Sequence, residues 1–414
     1  MADSRTAASG PSPVRGASAE LRHGDEDQVR SRIAFAKERT REARLVAGRR
    51  RPLKRDRHKR VKVAFFRYCY YDPAFKYFVE QVLDADYLPL PEATRATSEA
   101  GAQHSTDYVC TPFKHILGDF IEALELGADV LVQFGGPCRL GYYGELQESI
   151  LRDMGYDFAM LNFSGGIEGG WIGWAKQCLA VVNPDIAVPH AVKQLLVCGN
   201  MVTKLDAARD FYLANAGFER ERGAFRRAWE RLMDAMRAAT CDREVNEAYR
   251  QGMDDMRSIP LDKPDDPVRI GIVGEMFTAI DGRSNLGLDE KLAAMGVEAH
   301  RMLNLTNRFI RYNEPNLRVG CGDYVAFDMG PTSTLTIAAA CKYAREGLDG
   351  IIHAKSSGCT PEIDCVPVLQ RIGEDFRLPM LYLTYDTQTS DTGLDTRLEA
   401  FYDMLAMKKE KTKR

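Results

Sequence analysis

The sequence predicts an α/β fold of two parallel-sheet lobes facing across a cleft, with a helical insert and a disordered basic N-terminal leader. Three observations predict it. Apolar strand-like runs alternate with stripes of helical period, as sheets covered on both faces require. The pattern also occurs twice. Pro112, Gly127 and Cys138 mark a helix start, a helix stop and a strand exit, and Pro331, Gly347 and Cys359 mark the same points at nearly equal spacings. Finally, a charged helical stretch without strand signals separates the two halves.

Residues 1–60 form the leader. Ala, Ser, Gly, Pro and charge dominate to about residue 25 and predict disorder. Residues 26–48 carry a charged helical pattern on Val29, Ile33, Phe35 and Leu45. The basic run Arg49–Arg60 contains no interleaved aromatic residue. It reads as a solvated tether to a partner or neighbouring domain, and nucleic acid is not expected.

The first lobe, 61–200, opens with the strand Val61–Phe66. A helix over 74–84, a short strand Tyr87–Leu90 and a polar loop to Tyr108 follow. Thr111 caps a helix with Pro112 at its first position. Phe113, Ile116, Leu117, Phe120, Ile121 and Leu124 keep its apolar stripe until Gly127. Asp129–Phe134 is a buried strand whose exit loop is Gly135-Gly136-Pro137-Cys138. A helix (143–154) and a strand (158–163) come next, then loops and helix to 200. Residues 201–262 are the helical insert, closed by the linker that starts at Asp262.

The second lobe, 263–414, opens with the strand and turn Val268–Glu275. A helix is expected at about 286–295, a strand at 297–303 and a helix at 332–346 between Pro331 and Gly347. The strand Ile351–Ala354 exits through Ser356-Ser357-Gly358-Cys359. A helix to about 373, the strand Met380–Tyr385 and a helix at 394–407 complete the pattern.

The chain has 414 residues, room for two or three domains. Its net charge of -3 selects no class of partner. No window approaches the ~18 uninterrupted apolar residues of a membrane span. The N-terminus lacks the apolar core of a secretion signal, so a cytoplasmic location is expected. The ten cysteines are scattered. In a cytoplasmic chain of this size that predicts metal or redox use rather than disulfides.

In parallel α/β sheets, ligands bind beyond the carboxyl ends of the strands, where Cys138 and Cys359 sit. Cys110 and Cys359 each immediately precede a Thr-Pro helix start. A helix N-terminus favours thiolate, the metal-binding form, and a sulfur there can accept backbone N–H bonds. Cys110, Cys138 and Cys359 are therefore candidate ligands of one iron–sulfur cluster. The competing reading is three buried, inert cysteines, since no CxxC pair is present. Cys365 reads as a core residue or a fourth ligand, and Cys69, at another strand exit, is a weaker candidate. Cys178, Cys198, Cys241, Cys321 and Cys341 read as structural. Glu168, between glycine pairs, and Glu362, just after the third cysteine, are candidate acid–base groups in the cleft. Pairing with the helix dipole is the simpler reading of Glu362. Asp328–Thr334 reads as a helix cap rather than a phosphate loop, and no P-loop lysine motif is present.

Four stretches carry a family resemblance. They are Val109-Cys110-Thr111-Pro112-Phe113-Lys114, Phe134-Gly135-Gly136-Pro137-Cys138, Gly358-Cys359-Thr360-Pro361-Glu362, and Thr384–Leu394 continuing through Thr396–Phe401. With them, roughly from Val61 to Gly170 and from Val268 to Leu405, the chain resembles the 2-hydroxyacyl-CoA dehydratase / benzoyl-CoA reductase superfamily. It looks closest to the acyl-CoA dehydratase activase-related branch, which includes double-cubane-cluster-like proteins. The resemblance implies two Rossmann-like lobes with a [4Fe-4S] cluster between them, held at the positions of Cys110, Cys138 and Cys359. It implies a separate ATP-dependent activase that delivers a low-potential electron. It also implies a small substrate of the acyl-CoA kind, a homo- or heterodimer, and a lyase or reductase-component role. Two other readings stand beside it: a non-catalytic iron–sulfur electron-transfer or scaffold component, and a cluster-free small-molecule binding protein.

Overall fold

The computed structural model describes residues 60–134, 143–163, 178, 181–326, 329–386 and 389–413. The expected leader, with its helix at 26–48, lies outside them. Two four-stranded sheets organise the described chain, and every ladder in both is parallel. The first contains β1 (Lys62–Phe65), β2 (Asp86–Tyr87), β3 (Val130–Gln133) and β4 (Ala159–Asn162), in the order β2-β1-β3-β4. The second contains β5 (Arg269–Gly274), β6 (Glu298–Arg301), β7 (Gly350–Ser356) and β8 (Met380–Tyr385), in the order β6-β5-β7-β8. The same permutation in both halves agrees with the duplicated spacing in the sequence. Strand order reverses between β1 and β3, and between β5 and β7. Beyond the carboxyl ends of such pairs the successive connections part to opposite faces and leave a crevice. The central strands β3 and β7 are buried along their whole length, as a sheet covered on both faces demands.

In the first half, α1 (Asp72–Tyr77) runs into a π-helical turn, Phe78–Val82. The polar loop expected before Tyr108 contains a helix instead, α2 (Arg95–Gln103). Thr94 and Thr97 cap it reciprocally. Its lack of an apolar stripe is explained by its partner. It crosses α3 (Thr111–Glu125) backbone to backbone at Gly101 and Gly118, where an added Cβ would run into the Lys114 or Thr97 carbonyl. Close approach, not side-chain burial, holds this helix in place, so hydrophobic periodicity does not signal it. Gly127, with φ of 89°, ends α3 as expected. Helix α4 (Tyr143–Asp153) leads to β4.

The helical region begins earlier than expected, with α5 (Val188–Asn215), followed by α6 (Ala224–Ala238) and α7 (Asp242–Arg257). It has no core of its own. Met201, Leu205, Phe225, Met236 and Val245 are buried in the same cluster as Val63 and Leu131 of the first sheet.

In the second half, two short helices that were not expected, α8 (Met276–Ile280) and α9 (Gly282–Asn285), precede the helix expected near 286–295, which is α10 (Leu288–Ala294). The Glu275 and Asp281 side chains cap the first two, and Gly287, at φ 70°, starts the third. A π-helical turn, Thr306–Ile310, and α11 (Glu314–Cys321) fill a stretch that the apolar pattern left unassigned. Helices α12 (Pro331–Arg345) and α13 (Thr360–Asp375) cover one face of the second sheet through Leu335, Leu369 and Ile351. Helix α14 (Asp391–Lys413) covers the other through Leu398 and Phe401. Among the described residues, no helix is long and apolar enough to cross a membrane.

Buried polar ties join the halves. Asp206 of α5 accepts hydrogen bonds from the Tyr70 and Tyr71 hydroxyls, at 2.9 and 2.6 Å, and from the Thr306 amide at 2.9 Å. Phe277, Ile280 and Leu305 of the second half belong to the core cluster of the first.

Candidate functional site

Two Cys-Thr-Pro helix starts, far apart in sequence, meet in space. Strand β7 ends at Ser356, and the turn through Gly358 delivers Cys359 to the N-cap of α13. Cys110 occupies the N-cap of α3. The Ser356 hydroxyl accepts the Thr111 amide at 2.9 Å. The Gly358 backbone lies so close to the other motif that an added Cβ would stand 3.3 Å from the Cys110 Cα and 3.2 Å from the Tyr108 carbonyl oxygen. Both N-cap residues have extended backbone and hand over to a helix with proline in its first turn.

A cavity of about 290 Å³ opens at this junction. Cys110 and Cys359 both line it. Its wall is largely aromatic, with Phe66, Phe113 and Phe134 from the first half and Phe277 and Phe309 from the second. Tyr108 and Phe309, 96% and 50% exposed, mark its mouth. An apolar lining of this kind lowers the local dielectric and strengthens electrostatic interactions near it.

The charges around the sulfurs oppose a bare thiolate. Burial drives the Cys359 thiol far above its ordinary range, and the carboxylates of Glu275 and Glu362 and the Cys110 sulfur drive it further. The Glu362 amide, at the third position of the helix that Cys359 caps, acts on the Cys359 sulfur and favours its thiolate, but burial outweighs it. Cys110 Sγ lies 3.2 Å from the Tyr143 hydroxyl. Glu275, which the sequence reading did not single out, is the carboxylate of the cavity wall. Burial raises its pKa, although the Phe277 and Thr278 amides, at 2.7 and 2.8 Å, favour its charged form. Its place directly after β5, the counterpart of the turn that follows β1, was the signal that could have found it.

The other candidates divide. Cys138 lies in 135–142 and Glu168 in 164–177, outside the described residues. Phe134 and Tyr143, which flank the first of these stretches, both line the cavity. Glu362 is fully buried and turned away from the cavity wall. Its carboxylate meets His353 Nε2 at 2.8 Å and Thr336 Oγ1 at 3.0 Å. Cys365 is a core residue with no exposed surface, its thiol directed at the Pro361 carbonyl, 3.2 Å away. Cys69, with φ of 49°, points at the Ile280 carbonyl, and burial pushes its thiol up to about 12. Cys178, Cys198, Cys321 and Cys341 are buried, and Cys241 is the partly exposed N-cap of α7. Among the described residues, no group of three or more His, Cys, Asp or Glu side chains is gathered as a metal ion would need.

No protein-family model matches this sequence, and no curated protein matches it.

Proposed function

We propose that the chain is a [4Fe-4S] protein of the 2-hydroxyacyl-CoA dehydratase type, built as two Rossmann-like lobes facing across a cleft. It would work in the cytoplasm, as a homo- or heterodimer, with a separate ATP-dependent activase as electron donor and a small substrate, of the acyl-CoA kind. One observation carries the reading. Cys110 and Cys359, each just before a Thr-Pro helix start but at different points of the repeat, stand together on the wall of one apolar cavity.

The donor set fits the cluster as far as it is described. Cys110 and Cys359 both line an apolar cavity, and burial with the carboxylates of Glu275 and Glu362 disfavours the Cys359 anion unless a cation replaces its proton. Cys110 and Cys359 would hold the cluster together with Cys138, whose loop leaves from one wall residue and returns to another. When bound, the cluster supplies one-electron chemistry and an open iron site with Lewis-acid character. The chain's own residues do the rest. The aromatic wall lowers the local dielectric, the Tyr143 hydroxyl orients the Cys110 sulfur, and Glu275 holds or releases a proton at its carboxylate. The buried Glu362–His353 pair positions the first turn of α13 beneath Cys359.

The test is anaerobic purification with measurement of iron, acid-labile sulfide and the visible spectrum. The same measurements are made on Cys110→Ser, Cys138→Ser and Cys359→Ser. About four irons per chain, lost in each variant, is the expected result. A colourless, iron-free protein after anaerobic reconstitution would overturn the reading and leave a binding module.

A further inference from the structure

Arg308 stands beside the cavity rather than in its wall, and among the described residues no counter-charge pairs with it. It sits in the π-helical turn Thr306–Ile310, between Leu305 and Phe309. The latter two line the cavity, Phe309 at the mouth. The turn is clamped from below. The Leu305 amide donates to the Tyr71 hydroxyl at 3.0 Å, and the Thr306 amide and hydroxyl donate to buried Asp206 at 2.9 and 2.5 Å.

The guanidinium itself lies over two rings. Its Cζ is 4.9 Å from the Phe309 ring centroid and 5.3 Å from that of Tyr312. Its Nε is buried and lacks a hydrogen-bond partner. Among the described residues, no carboxylate forms an ion pair with it, whereas Arg67, Arg209, Arg283 and Arg301 each have one. Burial holds its pKa below the ordinary arginine range, and Tyr68, a residue of the cavity wall, is near enough to pull the other way. Stacking orients a guanidinium and leaves its in-plane N–H edge available, the geometry that recognises a carboxylate or phosphate.

We infer that the cavity binds an amphiphilic oxyanion: an aromatic or branched apolar group among the phenylalanines, and a carboxylate or phosphate reaching past Phe309 to Arg308 beside the mouth. Glu275, the carboxylate of the wall, repels an oxyanion from the interior and favours this orientation. The inference deepens the reading above, since it names what enters the same cavity, but it does not depend on the cluster being present.

The experiment titrates the full-length protein, with its iron content measured in every sample, against phenylacetate, phenyl phosphate and neutral phenylacetamide. Dissociation constants are read by ligand-observed NMR. At least one anion should bind about tenfold or more tightly than the amide, the worth of one charged hydrogen bond. Arg308→Gln should bring that ratio to about one, while Arg308→Lys should keep part of it. A preference for phosphate over carboxylate, or the reverse, identifies which oxyanion the site takes. The inference is overturned if the amide binds as tightly as both anions, if the preference survives in Arg308→Gln, or if no probe binds. The wild-type ratio needs no variant to fold. Iron-free protein that still prefers the anion would sink the cluster reading alone, and iron-loaded protein without the preference would sink this one alone.

Discussion

Arg283 of α9 reaches across to Asp119 of α3, with Nη1 2.8 Å from Oδ1 and Nη2 3.2 Å from Oδ2. The carboxylate has no exposed surface and also receives Arg67 Nη1 at 2.6 Å. It thus ties the segment just after β1 to α9 in the second half. Removing one member of a buried ion pair strands the others. Asp119→Ala should cost about 3 kcal/mol, the low end of the range because both guanidiniums keep some solvent. Urea denaturation measures this, and a cost under ~1 kcal/mol would show that the tie contributes no more than a surface pair.

His115 of α3 lies beside this tie, its Nδ1 3.0 Å from Ser284 Oγ. Burial, and then the Arg283 charge, lower its pKa to about 3. The folded state therefore resists a proton that the unfolded chain accepts below its ordinary pKa of about 6.5. Its contribution is intact above that pH and is lost as pH falls towards 3, by up to about 1.4 kcal/mol per unit. Denaturation at pH 7, 6, 5 and 4 should show this slope, and His115→Gln should flatten it. An unchanged slope would assign the acid sensitivity to other groups.

Alanine at 118 would set its Cβ against the Thr97 carbonyl in the α2–α3 crossing. A backbone atom cannot rotate away, so Gly118→Ala should cost at least about 2 kcal/mol. Gly199→Ala, in the interior of α5 with Ile310 Cδ1 no nearer than 4.0 Å, should instead be neutral or stabilising by up to about 1 kcal/mol. Comparable midpoints for the two variants would refute the close crossing.

Gly358→Ala places a Cβ 3.2 to 3.3 Å from Tyr108 and Cys110, tighter than ordinary contact. It should push the two cysteine-bearing helix starts apart, with a stability loss of about 1–2 kcal/mol. In reduced, metal-free protein, Cys110 and Cys359 should be alkylated faster, and anaerobic reconstitution should retain less iron. Wild-type alkylation rates and iron content would mean that the junction absorbs the methyl group.

The sequence reading was strongest where one residue type has one physical role. Pro112 and Gly127 bounded α3, Pro331 and Gly347 bounded α12, and the apolar runs at 130–133 and 351–354 were the central strands. It was weakest where structure depends on a partner. Helix α2 is held by glycine contact with α3, and α8 and α9 by side-chain caps at Glu275 and Asp281. The helices from 188 to 257 read as an insert because their charged faces dominate the composition, while their apolar faces complete the first core.

The sequence alone determined two parallel α/β halves and placed Cys110 and Cys359 at helix starts, because proline, glycine and hydrophobic period act locally along the chain. Tertiary structure decided the rest. It brought the two cysteines to one aromatic cavity, turned Glu362 inward to His353 and Glu275 to the wall, and laid Arg308 on the ring of Phe309 beside the mouth. The physical reason is that burial and charge pairing depend on neighbours distant in sequence, and local pattern carries no record of them.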